Sequence, residues 1–244
     1  DRMRININNL ISEIQQKAQL ENELQQNKLL LRESQLRSLQ SQINPHFLFN
    51  TLDMLSKKAY LEGSEETSDL LASVAGLLRY NLKRLDRKIT LKDEVKVLGQ
   101  YIEIQKARFT ERLQFHMEID ESCLSIQLPG LTLQPIVENA VIHAIEPRED
   151  GGTITFRVMD SGDRVTIEIE DDGPGMSEVK IKQILDEDNF ETEGHSTGIG
   201  FSNVVKRLRI WVGQDDVIDI KSELGHGTKV ILTIPKTKGT VEDD

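Results

Sequence analysis

The first forty-four residues, Asp1 to Asn44, contain neither glycine nor proline. Glutamine, glutamate, leucine, lysine and arginine dominate, residues that lose little on entering a helix. A helix is therefore expected from about residue 4 to about residue 60. Apolar residues recur at heptad-like spacing: Ile7, Leu10 and Ile14, then Leu24 and Leu31, and again Leu29, Leu36 and Ile43. Lys17, Glu21 and Lys28 interrupt the seam. Such polar positions weaken a coiled coil but can set its register. A helix this long is most easily stabilised by a copy of itself, so a parallel homodimer is expected. The alternative is a solitary charged helix. With 37% hydrophobic and 29% charged residues, the chain is lean for one compact globule, which fits an extended helix exposed to water.

Pro45 stands inside this pattern, within Gln42-Ile43-Asn44-Pro45-His46-Phe47-Leu48-Phe49-Asn50. A helix-interior proline removes a hydrogen bond, so a kink is expected over 41–44. Apolar density then rises through Phe47, Leu48, Phe49, Leu52, Met54 and Leu55, as in a bundle core. Gly63-Ser64-Glu65-Glu66 reads as a turn. Leu70, Leu71, Val74, Leu77, Leu78 and Leu82 follow at helical spacing, to about Arg84. Two such hairpins from two chains would make a four-helix bundle, with His46 on its first helix.

Residues 85–89 read as a linker, with a domain boundary near 86. Thr90, with Asp93 three residues on, is expected to cap a helix running to Phe109. The second half then alternates: a strand over 113–119, a helix over 129–145, and a hairpin of strands 153–159 and 164–170. An irregular, Gly-rich span over 171–200 precedes a helix over 201–211 and a last hairpin of 218–222 and 228–235. This order predicts helices on one face of a mixed sheet, an α+β sandwich. The tail after Lys236 reads as disordered.

The net charge of −11 and the lack of a long basic run argue against nucleic acid as a partner. A single cysteine, Cys123, excludes an internal disulfide framework and cysteine-based zinc sites. No apolar run is long enough to span a bilayer. Asp1 in place of an initial Met, with no signal peptide, gives the expectation of a piece of a longer protein.

Three glycine clusters fall in the second half: Asp171-Asp172-Gly173-Pro174-Gly175, Gly198-Ile199-Gly200 and Gly225-His226-Gly227-Thr228. Each alone is consistent with an ordinary turn. Together they have a shared use. Gly198 and Gly200 lead into a helix whose free N–H groups could hold phosphate oxygens. Asp171 could accept a hydrogen bond from a base amine, and Gly173 and Gly175 could admit a flat ring. Asn139 and His143, four apart on one helix face, could offer an amide oxygen to Mg2+ and an imidazole to a phosphate. His116, His195 and His226 form no metal-ligand spacing.

Residues 42–50 resemble the phosphoacceptor box of the LytS/YesM-like sensor histidine kinases. Gln134-Pro135-Ile136-Val137-Glu138-Asn139-Ala140-Val141-Ile142-His143 resembles that family's N box. The glycine clusters resemble the glycine boxes of the Bergerat (GHKL) ATP-binding fold, shared with gyrase and Hsp90-type ATPases. The resemblance covers about residues 36–236, with the boxes in order. It implies a signalling coiled-coil helix (1–40), a dimerisation and histidine-phosphotransfer hairpin (41–86), an ATP-binding catalytic domain (87–236) and a tail (237–244). His46 is implied to accept the γ-phosphoryl group of ATP, Asn139 to coordinate Mg2+, and Asp171 to bind the adenine amine. Gly173 and Gly175 are implied to shape the adenine pocket. Gly198 and Gly200 would belong to a lid over about 176–196, and Gly227 and Thr228 would close the far side. The implied partners are a second copy and the receiver domain of a response regulator. The full-length protein is expected at the cell membrane through an upstream sensor part, with this portion cytoplasmic.

Two departures stand out. The commonest histidine-kinase pattern has an acid right after the histidine, where this chain has Phe47. Asn50 could orient His46 but cannot take its proton, and Glu138 is the remaining candidate base. Ile142 and Ala144 stand where relatives often carry Lys and Gly, so altered phosphate contacts are expected. Two competing readings remain: a Bergerat-fold ATPase without phosphohistidine chemistry, and a non-enzymatic coiled-coil scaffold.

Overall fold

The computed structural model describes residues 45–83, 88–185 and 199–236. The expected coiled coil, the kink over 41–44, Gly198, His195 and the tail lie outside them. The chain divides into two compact units, residues 1–48 and 49–244. Of the first, only the start of helix α1 (Pro45–Leu61) is described.

Helix α1 and helix α2 (Glu65–Lys83) form the expected hairpin. Gly63 adopts φ +80° in the turn, and Ser64 N–H donates to Ala59 O at 2.9 Å, which closes it tightly. Arg79 of α2 lies over the Phe49 ring and 3.5 Å from Asp53 of α1. Along α1, Met54, Leu55, Tyr60 and Leu61 remain exposed, Leu61 by 84%.

Strand β1 (Lys88–Thr90) and strand β3 (Gln127–Pro129) pair antiparallel, Ile89 opposite Leu128. This corrects two expectations: Lys88 and Ile89 are not linker, and Pro129 ends a strand instead of opening a helix. Three-residue strands carry no periodicity. They persist because Ile89 and Leu128 are buried in tertiary contacts, and a proline suits a strand end. Helix α3 (Leu91–Phe109) opens with the predicted capping box: Thr90 Oγ1 accepts from Asp93 N–H, and Asp93 Oδ2 accepts from Thr90 N–H. Against α2 it places Glu103 2.5 Å from Ser73 Oγ.

Strands β2 (Leu113–Ile119), β4 (Gly152–Ser161), β5 (Arg164–Asp171), β7 (Thr228–Pro235) and β6 (Ile218–Ser222) form one sheet in the order β2-β4-β5-β7-β6. Only β2–β4 is parallel, so the sheet is mixed as predicted. Ile154, Phe156 and Val158, Val165, Ile167 and Ile169, and Val230, Leu232 and Ile234 are buried at alternate positions. They pack with helix α3, helix α4 (Leu133–Ala140) and helix α6 (Ile199–Val212) in one core. The opposite face carries a charge ladder: Arg157 bonds Glu118 and Glu170, each at 3.0 Å, and Lys229 reaches Glu170 at 3.0 Å. The span expected to be irregular contains helix α5 (Glu178–Leu185), capped by Ser177 Oγ accepting from Lys180 N–H. Among the described residues no helix is long and apolar enough to cross a membrane.

Candidate functional site

Helix α4 starts at Leu133, four residues after Pro129, and beyond Ala140 it widens into a π-type turn over Val141–Ile145. There Glu146 N–H donates to Val141 O at 3.0 Å, one residue further back than an α-helix allows. Arg112 Nη2 donates to Arg148 O at 2.5 Å and to the Ile145 and Glu146 carbonyls at 3.3 Å, which holds the end of this turn. Asn139 on the helix and His143 in the turn both line a cavity of about 220 Å³ that opens to solvent. Asp171, Gly175 and Thr228 line the same cavity. Its walls are otherwise largely apolar, including Ile136, Ile169, Ile184, Phe201 and Val230.

Asp171 ends β5 at the cavity floor. Its Oδ1 accepts from Gly173 N–H at 2.9 Å, and the Thr228 backbone N–H also bonds the carboxylate. Burial pushes this carboxyl up to about 6, against the pull of those two bonds, with Asp172 and Glu170 adding like charge. A shielded carboxylate between apolar walls suits recognition of a base amine.

Gly173 and Gly227 serve close packing of neighbouring segments. A Cβ on Gly173 would come 2.6 Å from Ala144 Cβ, and Gly173 itself does not line the cavity. Gly227, at φ +86°, brings the β6–β7 turn so close to β5 that a Cβ would lie 2.0 Å from Asp171 O. Ser222 locks the same corner: its Oγ accepts from Met176 N–H at 2.7 Å and donates to Gly227 O at 2.7 Å, with Thr228 Oγ1 at 2.9 Å.

His46 and Asn50 are exposed on α1, and Phe47 is 66% exposed. Gly200 lies in the first turn of α6, where a Cβ would meet only Pro135 Cβ at 3.8 Å. Glu138 is exposed and outside the cavity lining. Partial burial raises its carboxyl, and its charge acts on Tyr101 of α3, whose hydroxyl is held above the usual range mainly by burial. Ile142 and Ala144 also lie outside the lining, and Ala144 is fully buried beneath Gly173. Their departures from the family pattern therefore alter packing under the loop more directly than the cavity surface.

Sequence reasoning missed Met176, and it missed Lys180 and Ile184, which bring one face of α5, and a cation, to the cavity. The spacing of four between Lys180 and Ile184, just after the cap signal at Ser177, was the available clue. It also missed Ser222 and Phe201. Among the described residues, the His, Cys, Asp and Glu groups near enough to share a metal are Asp120, Cys123 and Asp160, none of which lines the cavity. For a nucleotide-bound Mg2+ the ligand within the cavity would be the Asn139 amide oxygen, a hard donor that fits that ion.

Comparison with known proteins bears on this arrangement directly. Residues 34–113 match the histidine kinase family, and residues 130–238 match the histidine kinase-, DNA gyrase B- and HSP90-like ATPase family. The chain belongs to the sensor histidine kinases. It is 35% identical over 85% of its length to the sensor histidine kinase YesM of Bacillus subtilis, covering 34% of that protein. It is 34% identical over 88% of its length to the sensor histidine kinase BtsS of Escherichia coli, covering 36% of it. To the sensor protein LytS of Oceanobacillus iheyensis it is 31% identical over 87% of its length, again covering 36%. The chain thus spans about a third of the length of these relatives. All the residues lining the cavity fall within the stretch that matches the ATPase family.

Proposed function

We propose that this chain is an ATP-dependent protein-histidine kinase core that phosphorylates His46. The observation that carries the reading is the convergence of Asn139, His143, Asp171, Gly175 and Thr228 on one cavity, from three separate stretches of sequence. Asp171 accepts the adenine amine, and the apolar walls hold the ring. His143 and Lys180 face the polyphosphate. Asn139 would hold a nucleotide-bound Mg2+, which would supply charge neutralisation at the transferring phosphoryl group.

A ring nitrogen of His46 attacks the γ-phosphorus in line. The N–P bond forms, the bond from the bridging oxygen to the γ-phosphorus breaks, and ADP leaves. The ring proton of the imidazole passes to solvent. Neither Phe47 nor the amide of Asn50 can accept it, and Glu138 lies outside the cavity lining. The phosphoryl group then moves to an aspartate of a response-regulator receiver domain.

The exposed apolar residues of α1 support a homodimer in which residues 41–86 form the bundle, residues 1–40 the signalling coiled coil and 87–236 the catalytic domain. An upstream sensor part would place the full-length protein at the membrane. Incubation with ATP labelled at the γ-phosphate tests the reading. Wild type is expected to gain acid-labile label, and His46→Ala to gain none while still binding ATP. Asn139→Ala is expected to lose Mg2+-dependent labelling. Label retained in His46→Ala would remove His46 as the acceptor.

A further inference from the structure

Glu94 is 2% exposed, in the first turn of α3. Its carboxylate is the acceptor for four donors on other elements. Oε1 accepts from Leu131 N–H at 2.7 Å and from the Tyr80 hydroxyl. Oε2 accepts from Thr132 N–H at 2.9 Å and Leu133 N–H at 2.8 Å. Three of these are the backbone donors at the start of α4, which a helix leaves without internal partners. Thr132 does not cap its own helix, because its hydroxyl is turned to Pro129 O at 2.6 Å. Leu131 is held at φ +59°, a conformation that branched and bulky side chains rarely adopt. Its carbonyl accepts from Arg207 Nη2 of α6 at 2.6 Å. Burial raises the Glu94 carboxyl and depresses the Arg207 guanidinium, while the four donors and the attraction between the two groups oppose this.

Four segments therefore meet at one buried carboxylate: α2 through Tyr80, α3 through Glu94 itself, the strained turn at Leu131, and α4; α6 joins one step further out, through Arg207 on the Leu131 carbonyl. Helix α4 carries Asn139 and leads to His143, and α6 carries Phe201 of the cavity wall. Helix α2 belongs to the hairpin whose first helix carries His46. A carboxylate has about four acceptor positions, and all four are used here. The junction thus has no spare hydrogen bond with which to absorb a displacement of α2.

We propose that Glu94 is a positioning residue for the nucleotide site, and that its bond to the Tyr80 hydroxyl is where the hairpin sets the placement of the helix bearing Asn139 and His143. The proposal rests on the reading of this cavity as the ATP site of a histidine kinase. It deepens that reading by assigning the link between the hairpin and the cavity.

Tyr80→Phe tests it in the whole chain, because the ring keeps its packing and only the hydroxyl is lost. ATP binding measured by calorimetry is expected to stay within twofold of wild type, while labelling of His46 at saturating ATP falls fivefold or more. Hydrogen–deuterium exchange is expected to quicken over 131–140 in Tyr80→Phe, and more strongly in Glu94→Gln. Tyr80→Phe with wild-type labelling and wild-type exchange over 131–140 overturns the proposal. So does a loss in binding or labelling with wild-type exchange over 131–140, which marks Tyr80 as acting elsewhere than on α4. Wild-type protein that binds no ATP removes the kinase reading instead, and the exchange measurement still decides whether Tyr80 holds α4. Should Glu94→Gln fail to fold, Tyr80→Phe alone gives the decision.

Discussion

The α1–α2 hairpin and the sheet domain are built on opposite terms. The sheet domain closes its own core: Ile154, Phe156, Leu232, Leu98, Val137 and Leu208 are all fully buried within one chain. The hairpin leaves Met54, Leu55, Tyr60 and Leu61 facing water. Patches of this kind mark association surfaces. A region that fills its own core can hold a rigid site, whereas a region short of partners is suited to changing them. The kinase reading needs both, a fixed nucleotide cavity and a helix pair whose packing responds to what lies upstream.

The comparison breaks first at the corner where the sheet domain is tightest. Gly227→Ala places a Cβ 2.0 Å from Asp171 O at φ +86°. It should cost about 3 kcal/mol, read as a lowered denaturation midpoint. An unchanged midpoint would mean the corner relaxes freely. Next comes Asp171→Asn, expected to lower ATP affinity about tenfold or more without lowering the thermal midpoint of the nucleotide-free protein. Because its carboxyl is raised to about 6, the folded chain holds this proton more tightly than the unfolded chain does. Its ionised form therefore opposes folding above pH 6, and that cost fades as pH falls toward the ordinary carboxylate range. ATP affinity should move the other way, falling below about pH 6 as the acceptor is protonated. The Asp171→Asn protein should lose both trends.

Met54→Ser sharpens the contrast from the hairpin side. It should weaken self-association about tenfold by sedimentation and leave ATP binding unchanged. Altered ATP affinity with intact association would place Met54 in the wrong region. The smallest effect is expected for Lys180→Ala. An exposed cation contributes about 0.5–1 kcal/mol, so ATP should bind about three times more weakly, with less dependence on salt.

Much of the sheet domain was legible beforehand. Alternation over 113–119, 153–159 and 164–170 found its strands, and the Thr90–Asp93 pair found the start of α3. Asp171 at a strand end and Asn139 with His143 on one helix were also readable, because these signals repeat over short stretches. β1 and β3 were not readable, since three residues carry no period. Nor was the start of α4 at Leu133, because its cap comes from Glu94, far back in the sequence. Helix α5 was hidden by the glycine-rich surroundings of its short apolar face.

Local pattern by itself determined the longer helices and strands and that the sheet is mixed. It did so because backbone propensity and side-chain period act over a few residues. Tertiary structure alone decided that Gly173 is required by Ala144 and Gly227 by Asp171, and that Lys180 reaches the cavity. It also decided that one buried carboxylate joins α2 to α4. Each of these depends on two backbones or a buried charge meeting across many residues, where excluded volume and desolvation, and not period, set the outcome.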